Sequence, residues 1–169
     1  MGCSTFTAAP VIDRASPAPT QAIQLQQRYA VACERLYDAW LTPRTLGMWM
    51  FDPATVGGEL LGLDIDPRVG GAMVLRIRRG ERTHAQHAVF DRLERPHRIV
   101  MRWSEDAPPQ ASSAQVVLAF MAQAPQVCTL TVTQTVATPS DDRQARVHAG
   151  WQGYLDGLLA LFAAPREAG

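Results

Sequence analysis

The chain contains no lysine: all 16 of its basic residues are arginine. A GC-rich coding sequence produces that bias by itself, so it carries no functional reading. Neither charge sign is in excess, because 16 acidic residues balance the arginines. The balance argues against a nucleic-acid binder, which shows a basic surplus, and against electrostatic attachment to anionic lipid. Cysteine is scarce: Cys3, Cys33 and Cys128, with no Cys-x-x-Cys pair. Neither a disulfide framework nor a zinc site is expected, and a reducing cytoplasm is the expected compartment. No apolar run approaches the roughly 18 residues of a spanning helix. The opening "MGCSTFTAAP" lacks the basic and apolar regions of a secretory leader. Phe6 stands where a myristoylation motif carries Ser or Thr. There is no Gly-x-Ser-x-Gly, phosphate loop or dinucleotide fingerprint, so no catalytic motif and no cofactor are expected.

What is present suits one globular domain: 169 residues, 47% hydrophobic and 19% charged. Residues 1–20 are rich in Ala, Pro, Ser and Thr and predict a disordered tail, leaving a single folded domain over residues 21–164. "IQLQQRYAV" alternates Ile23, Leu25, Tyr29 and Val31 against polar residues and predicts a half-buried strand. "ACERLYDAWL" has helical spacing. "TPRTLGMWM" predicts a second short helix with Thr42 as N-cap and Pro43 at N1, where a missing N–H costs nothing. After Gly57-Gly58 the period becomes two. "LLGLDID" places Leu61, Leu63 and Ile65 on one face, Gly70-Gly71 brackets a turn, and "AMVLRIRR" sets Met73, Leu75 and Ile77 opposite Val74, Arg76 and Arg78. "THAQHAVFDRL", "RIVMRW", "AQVVLAFM" and "VCTLTVTQTV" supply four further strands. In the last, Leu130, Val132 and Gln134 face one way and a ladder of Thr129, Thr131, Thr133 and Thr135 the other, as a sheet wet on one side requires.

The long helix that covers this sheet is expected to start at Ser140 as N-cap, with Asp141 and Asp142 at its positive end. Val147, Trp151, Tyr154, Leu155, Leu158, Leu161 and Phe162 form its apolar stripe. Gly150, Gly153, Gly157 and Ala160 form a small-residue stripe against which a neighbouring element is expected to pack closely. The fold class is thus α+β: a curved antiparallel sheet of about seven strands wrapped around a C-terminal helix, with two short helices after the first strand. Such a sheet cannot close on one helix along its whole length, and a cavity between them is expected.

With "ERLYDAWLTPRTLGMWM", "AVFDRLERPHRIVMRW", "LTVTQT" and "GWQGYLDGLLALF" in this order, the chain from about Ile23 to Phe162 resembles the SRPBCC (START-like, helix-grip) superfamily. Within it, the chain resembles the subfamily named for the activator of the heat-shock chaperone ATPase. The resemblance implies a cytoplasmic bacterial protein with an apolar ligand cavity.

The expected function is binding of a small apolar or aromatic molecule. Trp49, Phe90, Met101, Trp103, Trp151, Tyr154 and Leu158 would line the cavity, and Gln134 and His84 would orient polar atoms. Alternation around Ala88 and Phe90 turns His84 and Gln86 inward. Buried indole N–H and phenol O–H groups need partners, which gives such a pocket a few polar fixing points. One alternative is a cyclase- or hydrolase-like enzyme with His84 or Tyr154 as acid/base. Another is a co-chaperone module using the basic hairpin "RIRRGER" (Arg76–Arg82). A homodimer is compatible with the sequence. No metal site is expected, since His84 and His87 fall on opposite strand faces. Asp64 and Asp66 share a face but read as a solvated strand end, and Cys128 as a small buried thiol.

Overall fold

The computed structural model describes residues 20–50, 58–110, 113–137 and 140–163. The tail expected over residues 1–20 lies outside them, apart from Thr20. Strand β1 (Thr20–Tyr29) leads into α1 (Cys33–Asp38) and α2 (Pro43–Trp49). Six strands follow: β2 (Glu59–Ile65), β3 (Ala72–Arg79), β4 (Arg82–Glu94), β5 (Arg98–Glu105), β6 (Ala114–Ala124) and β7 (Val127–Ala137). Helix α3 (Asp141–Ala163) ends the described chain. The strands form one sheet in the order β1-β7-β6-β5-β4-β3-β2, antiparallel throughout. β2 to β7 are a meander joined by short turns. Only β1 leaves sequence order. α1 and α2 carry the chain away from it, so that β1 lies at one edge of the sheet and β2 at the other. This is the helix-grip arrangement expected from the alternation and the order of elements.

The alternating apolar residues form the core. Ile23, Leu25, Leu75, Ile77, Ile99, Met101, Leu118, Leu130 and Val132 are buried from the sheet, and Trp151, Tyr154, Leu155 and Leu158 from α3. Three glycines cost α3 about 1 kcal/mol each in helix propensity. Burial contributes about 1.5–3 kcal/mol for each large apolar side chain, so these four buried residues outweigh the glycines. The small-residue stripe is not a packing seam. Gly157 is buried, but Gly150 and Ala160 are exposed, and open space surrounds the position a Cβ would take at Gly150. α3 therefore grips the sheet through its bulky stripe. Ser140 caps it through a hydrogen bond from the Arg143 N–H to Ser140 Oγ. Thr42 occupies the N-cap of α2 as expected, without a side-chain cap bond.

Two expectations change. β2 carries a bulge between Leu60 and Gly62. Leu60, Leu63 and Ile65 pack on the core while Leu61 is 46% exposed. A bulge inserts one residue and reverses the alternation beyond it. Simple period two therefore put Leu61 on the wrong face. The second change concerns sulfur. Cys33 and Cys128 were expected to remain thiols. They form a disulfide, with Cα atoms 5.1 Å apart and a sequence separation of 95. Tertiary pairing brings them together: Cys128 is opposite Tyr29 in the β1–β7 ladder, and Cys33 opens the helix that follows β1. The Arg95 guanidinium clamps α1 from the β4–β5 turn, donating two 2.8 Å bonds to the Asp38 carboxylate. It holds that carboxyl below its ordinary pKa.

Candidate functional site

The concave face of β3, β4 and β5 carries the residues of interest. Ile77 is buried opposite His84, Leu75 opposite Gln86, and Gln86 opposite Glu105. Strand alternation then puts Arg79, two residues beyond Ile77, on the same side. Ile77, Arg79, His84, Gln86 and Glu105 line a hollow of about 90 Å³ at the end of the sheet formed by the β3–β4 turn. His84 and Gln86 face inward as the alternation around Phe90 predicts. His87 pairs with Val74 and Ser104 on the outer face. At the rim, His84 Nδ1 lies 3.9 Å from the Asp106 carboxylate.

Helix α3 reaches this hollow through Tyr154. Its phenol donates a 2.7 Å hydrogen bond to Gln86 Oε1. Burial is the main cause that pushes the Tyr154 phenol up to about 12; Glu105 adds to the shift, while the Gln86 bond and Arg79 oppose it. One turn earlier, Trp151 Nε1 donates a 2.6 Å hydrogen bond to Gln134 Oε1 on β7. Two glutamine amides from different strands thus hold the two aromatic polar groups of one helix face.

The raised Tyr154 value has a testable consequence. The folded state keeps this phenol neutral above its ordinary pKa of 10. Its contribution is complete below about pH 10 and falls as pH rises toward 12, by about 2–3 kcal/mol in all. Alkaline unfolding followed by circular dichroism should steepen across that window. Tyr154→Phe should flatten the slope while lowering stability at neutral pH through the lost bond to Gln86.

The other residues expected at a cavity fall into two groups. Trp103 lies on β5 two residues before Glu105, on the same face. It meets Trp151 at 5.9 Å between ring centroids, and Trp151 meets Tyr154 at 5.7 Å. These three rings are buried and pack behind the hollow, which neither they nor Gln134 line. Trp49, Phe90, Met101 and Leu158 lie deeper, all essentially inaccessible. Trp49 donates to the Ala39 carbonyl and stacks edge-on against Trp40 at 4.6 Å. Trp40 is also 6.3 Å from Trp151. Its Nε1 is buried and lacks a partner among the described residues, a deficit that costs about 1–3 kcal/mol unless an acceptor fills it.

Sequence reasoning missed the roles of Arg79 and Glu105. The parity of Arg79 with Ile77 could have found the first; the second depends on the β4–β5 register. The basic cluster Arg76–Arg82 is divided by strand alternation. Arg76 pairs with Asp64 at 2.8 Å, Arg78 with Glu59, and only Arg79 turns toward the hollow. Asp64 and Asp66 do not form an acid pair, because Arg76 engages the first and Arg68 the second.

The fold agrees with a known family. Residues 30–163 match the family described as Activator of Hsp90 ATPase homolog 1-like protein. The chain belongs to this family. Solved structures similar to this Hsp90-activator-like chain include a protein of Chromobacterium violaceum, 23% identical, with TM-score 0.70 over 86% of this chain and 99% of that one. An AHSA1-like protein of Aeromonas hydrophila is 20% identical, with TM-score 0.67 over 88% and 100% of the respective chains. An HSP90 activator from Plasmodium falciparum is 19% identical, with TM-score 0.65 over 85% and 97%. At these identities the likeness establishes the fold alone. No curated protein is similar enough in sequence to match. No described helix is long and apolar enough to cross a membrane.

Proposed function

We propose that the chain binds a small aromatic or apolar molecule carrying one hydrogen-bonding or acidic substituent. The observation that carries this reading is the 90 Å³ hollow, where Arg79, His84, Gln86 and Glu105 surround an apolar floor at Ile77. Ligand sites for drug-sized molecules run to about 300–1,000 Å³. A hollow of this size accepts the polar head of a ligand; Trp103 and Tyr154 are buried behind it and must shift to admit an apolar body. Arg79 and His84 offer donors to an acidic head, and Gln86 links the head to the buried phenol of α3.

A chaperone-directed role is the competing reading, because the family includes proteins related to an HSP90 activator. The pairing of Arg76 and Arg78 with β2 carboxylates reduces the charge that the hairpin offers an acidic partner, which favours the small molecule.

Ligand-observed NMR with a panel of phenols, aromatic carboxylates and their uncharged analogues tests the proposal. Binding by acidic members is expected, weakened roughly tenfold or more by Arg79→Gln or His84→Ala, the size of one charge-assisted bond. A panel that shows no binding at millimolar concentration, or binding insensitive to both substitutions, overturns it.

A further inference from the structure

A second recess lies at the opposite end of the sheet, with the length of β5, about 25 Å, separating it from the hollow. It is a solvent-open groove of about 340 Å³ lined by Cys33 and Glu34 of α1, Pro96 and His97 of the β4–β5 turn, and Ala122 to Pro125 of the β6–β7 hairpin. The two sulfurs of the Cys33–Cys128 bond stand differently toward it. Cys33 lines the groove and is 7% exposed, whereas Cys128 is fully buried and absent from the lining.

Thiol–disulfide exchange needs a thiolate to approach one sulfur of the bond while the other departs, so access decides which sulfur is attacked. Cys33 is the less buried of the two and the one that lines the groove, so approach from the groove meets Cys33 first. The groove has the volume of a small-molecule site, and Glu34 and His97 supply polar groups at its edge.

We propose that the Cys33–Cys128 bond is an exchange site for a low-molecular-weight thiol seated in this groove. The incoming thiolate attacks Cys33 Sγ and forms a mixed disulfide there. The Cys33–Cys128 bond breaks, and its electron pair leaves on Cys128 Sγ, which takes up a proton. A second thiol molecule then attacks the mixed disulfide. It releases the small-molecule disulfide and leaves both cysteines as thiols, so that two thiols are oxidised as one protein disulfide is reduced. His97 lines the same groove and supplies a base for the proton of the incoming thiol. The product frees the first residue of α1 from β7.

The test uses the full chain with Cys3→Ser, so that only this pair reports, and glutathione as the thiol. Native protein is exposed to graded ratios of reduced and oxidised glutathione, quenched in acid and mapped by mass spectrometry. The expected intermediate is a glutathione adduct on Cys33, with none on Cys128. In the Cys128→Ser background the adduct on Cys33 should approach one per chain. In the Cys33→Ser background Cys128 should stay unmodified until urea is added. If either single variant fails to fold, Gln123→Trp with both cysteines intact serves instead. Filling the groove should slow native reduction at least tenfold and leave the rate in urea unchanged. The proposal is overturned if the adduct maps to Cys128, or if the native bond resists glutathione and opens only in urea. It is also overturned if Gln123→Trp leaves the native rate unchanged. Because the groove and the hollow share no residue, none of these outcomes depends on the ligand panel.

Discussion

Replacing Trp151 by Ala should lower the unfolding free energy by about 4 kcal/mol, near the upper range for deleting a buried aromatic. Trp151 ties α3 to β5 and β7 and to the segment between α1 and α2. Its ring lies against Trp40, Trp103 and Tyr154, and its N–H bonds to Gln134. Truncation leaves a cavity that three neighbouring rings are too rigid to fill, and it strands a partly buried amide oxygen. Trp151→Phe separates the two effects. It keeps most of the ring contacts and loses the bond, at a cost of about 1–2 kcal/mol. Chemical denaturation of both variants checks the order. Equal losses would show that the hydrogen bond, and not ring packing, holds the helix.

The β2–β3 turn should show a contrast between two adjacent glycines. Gly70 has φ +80° and open space around its Cβ position. Gly70→Ala should therefore cost only the left-handed penalty of about 1–2 kcal/mol. At Gly71 a Cβ would lie 2.1 Å from the Asp66 carbonyl oxygen and 2.9 Å from that of Arg68. Both obstacles are backbone and cannot rotate away. The Gly70 N–H also donates to the Phe90 carbonyl, and the Phe90 N–H to the Gly71 carbonyl, so relief at Gly71 must disturb β4. Gly71→Ala should cost about 3 kcal/mol or more, a fall in Tm of roughly 10 °C for a chain of this size. Thermal melts of the two variants side by side test the reading. A milder effect at Gly71 than at Gly70 would contradict it.

Much of the fold is legible in the residues. Seven alternating segments, two short helical patterns and one broad apolar stripe lead directly to seven strands, two short helices and α3. The inward aim of His84 and Gln86 is legible for the same reason: strand alternation is local, and Phe90 marks the face. Leu61 was misread because a bulge leaves no mark in an apolar run. The glycine stripe of α3 was misread because small residues permit close approach without requiring it.

The site divides along the same line. Its residue types follow from the sequence: aromatic side chains on the helix and on β5, and polar groups on β4. The partners that complete it are separated by 68 residues for Tyr154 and Gln86 and by 17 for Trp151 and Gln134, and strand register selects them.

Local periodicity, sensed over a few residues, determined the order and faces of the elements, and with them the family's fold. Register, the bulge and the approach of distant segments decided the rest: the hollow at Arg79 and Glu105, the glutamine bonds to α3, and the union of Cys33 with Cys128. These depend on contacts between residues far apart in the chain, whose closure costs entropy that only the assembled core offsets.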